Sequence, residues 1–261
     1  LARLAAGSDV RSNFTGAGEE VAAHAEWWAG TVENSELAAR FRDIAHQART
    51  SEPGEFAGKV VVITGVAPKS IAGGIAARML SEGATVIVTA SRINEKRLSY
   101  AKQLYRTHAR HGAALWLVPA NLSSYRDVDA LIEWVGSEQT TTVGSEVTVT
   151  KPAYIPDVYF PFAAPSVTGT MTDAGAQAEM QARLLLWSVE RSLTSLAALG
   201  SETHVDHKLH VVLPGSPNRG TFGGDGAYGE TKAAFDAIVN KWSVEPWGRR
   251  VTLAHPRIGW V

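Results

Sequence analysis

The sequence predicts an α/β protein: a doubly wound parallel sheet with helices on both faces, preceded by a helical extension. Three observations carry this expectation. From residue 59 onward, short apolar runs alternate with longer stretches of helical periodicity. The first apolar run ends in a glycine-containing turn that leads straight into a helix-like stretch, as in doubly wound sheets. Residues 1–50 lack this alternation and are rich in Ala, Glu and Arg.

The elements follow in order. Glu19 to Gln47 has helical periodicity, interrupted near Gly30 by Ala29-Gly30-Thr31. Trp27 and Trp28 read as packing anchors. Ser51-Glu52-Pro53-Gly54 punctuates a boundary, so residues 1–50 are expected to form a helical extension and residues 51–261 a separate domain. Lys59–Thr64 is the first strand, Gly73–Glu82 a helix, Thr85–Thr89 the second strand and Asn94–Ala109 a helix. Leu115–Val118 is the third strand and Val128–Val135 a helix. Gly136 to Pro156 breaks the rhythm: Thr140-Thr141-Thr142 and Val147-Thr148-Val149-Thr150 are β-prone but polar, an insertion or hairpin. Val158–Phe162 is the fourth strand of the main series, Ala176–Leu199 one long helix and Leu209–Leu213 the fifth strand. Tyr228–Ser243 is a helix and Val251–His255 the sixth strand.

Composition narrows the function classes. The 261 residues carry 25 basic and 26 acidic side chains, with no basic block suited to nucleic acid. Cysteine is absent, which excludes disulfides and thiol catalysis. No apolar run reaches about 18 residues, so no membrane span is expected. No signal-peptide pattern is present, and a soluble cytoplasmic protein is expected. The chain starts at Leu1 rather than methionine and stops six residues after the sixth strand. A piece of a longer polypeptide is therefore expected.

The turn after the first strand runs Thr64-Gly65-Val66-Ala67-Pro68-Lys69-Ser70-Ile71-Ala72-Gly73-Gly74. A glycine there lets backbone approach a ligand, and the helix N-terminus offers N–H groups to a pyrophosphate. The dinucleotide fingerprint G-x-G-x-x-G is incomplete, because Ala67 stands where a second glycine would. A tight turn without a ligand is the competing reading. On the dinucleotide reading the fold is Rossmann-like, and Thr64, Gly65, Ser70 and Ile71 hold the phosphates with Lys69 adding charge. Ser91 and Arg92 follow the second strand, where an acidic residue would accept from an unmodified ribose. A hydroxyl and a guanidinium suit a 2′-phosphate instead, which favours NADP. Asn121 and Leu122 are placed to meet the adenine. Ala163 and Ala164 are placed to let the ribose and nicotinamide pass.

Tyr228 and Lys232 stand four residues apart at the start of a helix-like run. Side chains at i and i+4 share a helical face. The lysine charge lowers the cost of a phenolate, and such a phenol can pass a proton to a carbonyl oxygen. Ser216, in the loop behind the fifth strand, can hold the same oxygen. His204, His207 and His210 have a spacing that fits no clear metal motif, and no metal is expected. Asp225 reads as a turn former in Gly224-Asp225-Gly226.

From about residue 56 onward the chain resembles the short-chain dehydrogenases/reductases. The block from Leu213 to Lys232, including Ser216-Pro217-Asn218-Arg219-Gly220-Thr221-Phe222-Gly223-Gly224-Asp225-Gly226-Ala227-Tyr228, closely resembles the ketoreductase region of fungal-type and mycobacterial-type multifunctional fatty acid synthases. Phe160-Pro161-Phe162-Ala163-Ala164 and Ile258-Gly259-Trp260 resemble the same family. The resemblance implies an NADPH-dependent 3-oxoacyl-acyl-carrier-protein reductase, with residues 51–261 as a C-terminally incomplete ketoreductase domain. Ser216, Tyr228 and Lys232 would be catalytic, and Tyr228 and Lys232 would also contact the cofactor. The implied partners are an acyl carrier protein domain bearing a phosphopantetheine-linked chain and other domains of the same polypeptide, in a homo-oligomer (a hexamer, by resemblance). Arg219 either receives the phosphopantetheine phosphate or faces solvent. The family's asparagine on the helix after the fourth strand is missing, and Ser188 is the nearest match. Two alternatives stand beside this reading. One is an enoyl-thioester reductase, suggested by Ser70-Ile71-Ala72-Gly73-Gly74. The other is a non-catalytic structural or carrier-docking module of the same fold.

Overall fold

The computed structural model describes residues 18–50 and 54–259. The expected boundary at Ser51–Pro53 and the motif residue Trp260 lie outside them. The first two elements are helices α1 (Gly18–Thr31) and α2 (Ser35–Thr50). The α/β series then runs β1 (Val60–Thr64), α3 (Ile71–Ser81), β2 (Thr85–Ala90), α4 (Glu95–His108), β3 (Ala114–Pro119) and α5 (Tyr125–Gly136). A hairpin of β4 (Gln139–Val143) and β5 (Glu146–Lys151) interrupts it. The series resumes with β6 (Val158–Pro161), α6 (Ala176–Ala182), α7 (Ser188–Ala198), β7 (Leu209–Val212), α8 (Tyr228–Ala233), α9 (Phe235–Val244) and β8 (Val251–Ala254).

Six strands form one sheet in the order β3-β2-β1-β6-β7-β8. β1 runs parallel to β6, β6 to β7 and β7 to β8, with Val62 opposite Tyr159 and Tyr159 opposite Val211. The near-continuous apolar character of β1 and β2 has a simple cause: strands covered on both faces have no solvent side on which to place polar residues. The order reverses between β1 and β6. Strand connections leave that point in opposite directions and open a crevice beyond the carboxyl ends of the two strands.

The described residues pack as two compact units. One comprises the chain up to Lys59 with Ile75–Val86 and Ala101–Leu115; the other comprises Val60–Gly74, Ile87–Tyr100 and the chain from Trp116 on. In the first unit, Ala22, Ala25 and Ala29 of α1 meet Phe41, Ile44, Ala45 and Ala48 of α2. Alanines on one helix let the larger side chains of the other approach closely. Trp28 stacks on Phe41, whereas Trp27 stays exposed.

In the second unit the main core joins Val62, Tyr159, Val211 and Val251 of the sheet to α5, α7 and α9 through Leu131, Leu193 and Ile238. The buried Tyr159 hydroxyl pairs with Ser192 Oγ at 2.8 Å, and Ser192 donates onward to the Ser188 carbonyl at 2.6 Å. Burial pushes the Tyr159 phenol up to about 12, so it serves the core as a neutral donor.

Two differences from the expected elements matter. The long helix expected over Ala176–Leu199 is divided by a π-helical turn, Arg183–Trp187. A one-residue widening of this kind leaves no mark in a run of good helix formers such as Leu184-Leu185-Leu186. The helix expected over Tyr228–Ser243 breaks at Ala234 into α8 and α9.

Candidate active site

The crevice at the β1/β6 reversal holds two adjoining clefts. One has a volume of about 370 Å³ and takes in Ser216, Asn218, Tyr228 and Lys232. The other, about 510 Å³, takes in Ser91, Arg97, Asn121 and Leu122. Gly65, Ser70, Phe162 and Ala164 border both, so the two form one trough over the ends of β1 and β6.

The floor of the trough depends on close backbone approach. Gly65 has φ +76°, and a Cβ there would lie 2.5 Å from the Phe162 carbonyl oxygen. Thr64 Oγ1 accepts from Ala163 N–H at 3.0 Å, tying the two strand ends together. Ser70 Oγ accepts from the N–H groups of Ala67 and Gly73 and donates to the Ala67 carbonyl. Its own carbonyl takes Gly74 N–H. Ile71 and Ala72 are thus the first-turn residues of α3 that border the trough. Gly73 is needed for packing, because a Cβ would meet the Ala67 carbonyl at 2.6 Å and the Tyr100 hydroxyl at 2.7 Å.

At the far end, Arg97 borders the trough and donates through Nη1 to the Val66 carbonyl at 3.1 Å. Tyr100 donates to the Ala67 carbonyl, and its burial raises the phenol above the ordinary value. Arg92 and Lys69 are exposed and do not border the trough; Lys69 sits at φ +60°. Ser91, Leu122, Ala163 and Ala164 do border it. Asn121 also does, with its side-chain oxygen accepting from Ser123 Oγ at 2.8 Å.

At the near end, α8 presents Tyr228 and Lys232 on one face. Lys232 is only 4% exposed. Its ammonium donates to the Pro214 carbonyl at 2.8 Å and lies 5.5 Å from the centre of the Tyr228 ring. Burial pulls the Lys232 pKa down to about 8. Ser216 reaches the cleft from the loop after β7. That loop is pinned by the chain leaving β8: Gly215 N–H donates to the Pro256 carbonyl, and Ile258 N–H to the Gly215 carbonyl. A Cβ on Gly215 would lie 2.8 Å from His255 Nε2. Burial, then the charges of Arg219, Lys232 and Arg257, hold the His255 pKa below the usual histidine range.

One supporting residue was not apparent from sequence. Gln181 of α6 is fully buried; its Oε1 accepts Ala227 N–H at 2.7 Å, and its Nε2 donates to the Ser166 carbonyl at 3.2 Å. It joins the segment after β6 to the residue before Tyr228. Arg219 pairs with Asp236. Ser188 is buried at the exit of the π-helical turn with its carbonyl bound by Ser192. His204, His207 and His210 each bond a different partner, Thr203, Pro156 and Thr252. Among the described residues no cluster of His, Cys, Asp and Glu could hold a metal ion.

No protein-family model matches the chain. The fatty acid synthase alpha subunit of Candida parapsilosis is 35% identical over 207 residues, 78% of this chain and 10% of that subunit. The corresponding subunit of Penicillium patulum is 35% identical over 210 residues, and that of Saccharomyces cerevisiae 32% over 208; each match covers 78% of this chain. The chain spans about a tenth of the length of these relatives. Among solved structures, a short chain dehydrogenase from Mycobacterium smegmatis superposes with a TM-score of 0.59 at 23% identity, covering 78% of this chain and 77% of that one. The Pseudomonas aeruginosa RhlG/NADP active-site complex gives 0.59 at 20% identity, covering 78% and 73%. The chain therefore has the short-chain dehydrogenase/reductase fold and is homologous to a short segment of the alpha subunit of fungal fatty acid synthases.

Proposed function

We propose that this chain is a ketoreductase domain, reducing the 3-oxo group of a β-ketoacyl thioester on an acyl carrier protein to the 3-hydroxyacyl thioester with NADPH. One observation carries the reading: Ser216, Tyr228 and a buried Lys232 border a single cleft at the sheet's reversal point. The residues present fit a dinucleotide, because Gly65, Ser70 and the first turn of α3 border a trough that runs on from Tyr228 and Lys232 to Arg97. The cofactor, when bound, supplies a hydride. Lys232 and Tyr228 would hold its nicotinamide end and Arg97 with Ser91 a 2′-phosphate.

The chain's own residues account for the rest. Ser216 Oγ already accepts Asn218 N–H at 3.1 Å, which leaves its proton to donate to the substrate carbonyl oxygen. Tyr228 gives its phenolic proton to that oxygen as negative charge develops there. The nearby Lys232 ammonium favours the phenolate that remains. Phe162, Val167 and Ile258 give the cleft apolar walls for an acyl chain and limit water at the reacting carbon. Homology to alpha subunits ten times longer supports a place in a larger synthase polypeptide, and the carrier protein, oligomeric assembly and cytoplasmic setting belong to the same proposal.

The decisive experiment compares wild type and Tyr228→Phe on acetoacetyl and crotonyl thioesters with NADPH. The expected result is reduction of acetoacetyl thioester alone by wild type and a loss of at least about 100-fold in the variant, with NADPH binding retained. Turnover of crotonyl thioester would point to enoyl reduction. Unchanged turnover by the variant would defeat the assignment.

A further inference from the structure

The loop between Ser216 and Tyr228 is built around a hydrogen bond between a buried amide, Asn218, and a half-buried carboxylate, Asp225, which the proposed chemistry does not use. Asn218 is 3% exposed. Its backbone N–H donates to Ser216 Oγ, and its side-chain Nδ2 donates to Asp225 Oδ2 at 2.9 Å. The same Asp225 oxygen accepts Gly229 N–H at 2.8 Å, inside the first turn of α8. The Asp225 carbonyl accepts Tyr228 N–H at 3.2 Å. One carboxylate oxygen thus joins the residue that orients the serine to the helix that carries the tyrosine. The packing is tight, because a Cβ on Gly229 would lie 2.6 Å from Gly220 N and 2.9 Å from Asp225 Oδ2.

We infer that Asn218 and Asp225 are positioning residues that set the separation of the Ser216 and Tyr228 hydroxyls around one substrate oxygen. The inference rests on the ketoreductase reading and extends it to two residues whose side chains bond each other and to which that reading gives no contact with the reacting atoms. Two donors must reach the same oxygen, each within hydrogen-bond range, and they sit on different elements: a loop after β7 and the start of α8. Among the described residues, Lys232 on the Pro214 carbonyl is one tie between them, further along α8. The Asn218–Asp225 bond is another. Gln181 holds Ala227 N–H, so the start of α8 is restrained at both Ala227 and Gly229. A charged acceptor makes the joint stronger than a neutral pair would.

The test uses the full chain with three variants. Asp225→Ala removes the acceptor, Asn218→Asp sets two carboxylates against each other, and Asp225→Asn keeps an acceptor oxygen. The first two are expected to lose about 10- to 100-fold in kcat, the cost of misplaced reacting groups. Their KM and NADPH affinity should stay within about twofold, and Asp225→Asn should restore most of the rate. Amide hydrogen exchange gives a readout independent of turnover: Asn218 and Gly229 N–H should exchange at least about tenfold faster in Asp225→Ala. Wild-type kcat in a folded Asp225→Ala, or unchanged exchange at those two amides, overturns the inference. If Asp225→Ala does not fold, Asn218→Asp carries the kinetic test. A wild type without turnover on acetoacetyl thioester counts against the ketoreductase reading instead, and the exchange measurement then decides the clamp alone.

Discussion

Lys232 carries its charge where water scarcely reaches it, and that sets a pH signature for both stability and turnover. Its pKa falls from an ordinary 10.5 to about 8 because burial penalises the ammonium. Below pH 8 the folded and unfolded chains both hold the proton, and the folded one bears the full burial cost. Between pH 8 and 10.5 the unfolded chain binds more protons, so stability rises with pH across that window. Lys232→Met removes a cost of roughly 3 kcal/mol and a hydrogen bond to Pro214 O contributing roughly 1 kcal/mol. Melting curves should therefore show the variant about 2 kcal/mol more stable at pH 7, with the gap closing above pH 8, while its turnover is lost. Wild-type kcat/KM should decline above about pH 8 as the ammonium deprotonates. A stability gap that ignores pH would contradict this account. At this scale much of the site was legible. The four-residue interval of Tyr228 and Lys232 is a local fact, since helical geometry alone places them on one face. Gln181 was not legible, because a glutamine in a helical run looks like a solvated residue until the fold closes over it.

At the scale of elements, α4 decides which arginine borders the trough. Sequence reasoning placed Arg92 there, directly after β2. The chain instead leaves the strand with Arg92 in solvent, and the first turn of α4 brings Arg97 back over the Val66 carbonyl. Arg97→Met is accordingly expected to weaken NADPH by about 10- to 100-fold, the range of a lost charged hydrogen bond, and NADH much less. Arg92→Met should change either affinity less than about twofold. Fluorescence titration of both cofactors checks the pair, and the reverse ranking would return the role to Arg92. The hairpin offers a second case. Both strands are exposed except at Lys151, whose ammonium donates to the carbonyls of Val135, Ser137 and Pro152 and lies over the rings of Trp134 and Tyr154. Burial lowers the Lys151 pKa, and the ring faces with the three carbonyls offset that cost. Lys151→Met takes this donor from the Ser137 and Pro152 carbonyls, while the Val135 carbonyl keeps Tyr154 N–H, so a stability loss of about 1–3 kcal/mol and faster proteolysis between Gln139 and Thr150 are expected. An unchanged melting temperature would show that the hairpin base holds without the lysine. The β-prone pattern of this insertion was readable in advance; its buried lysine was not, because one lysine in a polar segment carries no signal of where its ammonium ends.

Across the whole molecule, strand–helix alternation translates into a sheet whose order reverses between β1 and β6, and the candidate site residues collect at that reversal. Ser70 on one side, and Ser216 and Tyr228 from a stretch far along the chain on the other, border one cleft. The local rules are short-ranged and were therefore visible from residues alone: apolar runs bounded by turn residues, a glycine at a strand end, a tyrosine and a lysine one helical turn apart. Side-chain periodicity and turn sterics act within a few residues, so they need no knowledge of the rest of the chain. Folding decided the questions in which several residues of suitable chemistry competed for one place. It set Arg97 rather than Arg92 beside the trough, inserted a π-helical turn into an unmarked helix and gave Asp225, which opens the turn into α8, a side-chain bond to Asn218. Such outcomes depend on how loops close and on packing between segments separated by up to tens of residues, as Arg97 is from Val66, where the position of one backbone fixes which neighbouring side chain faces the cleft and which faces water.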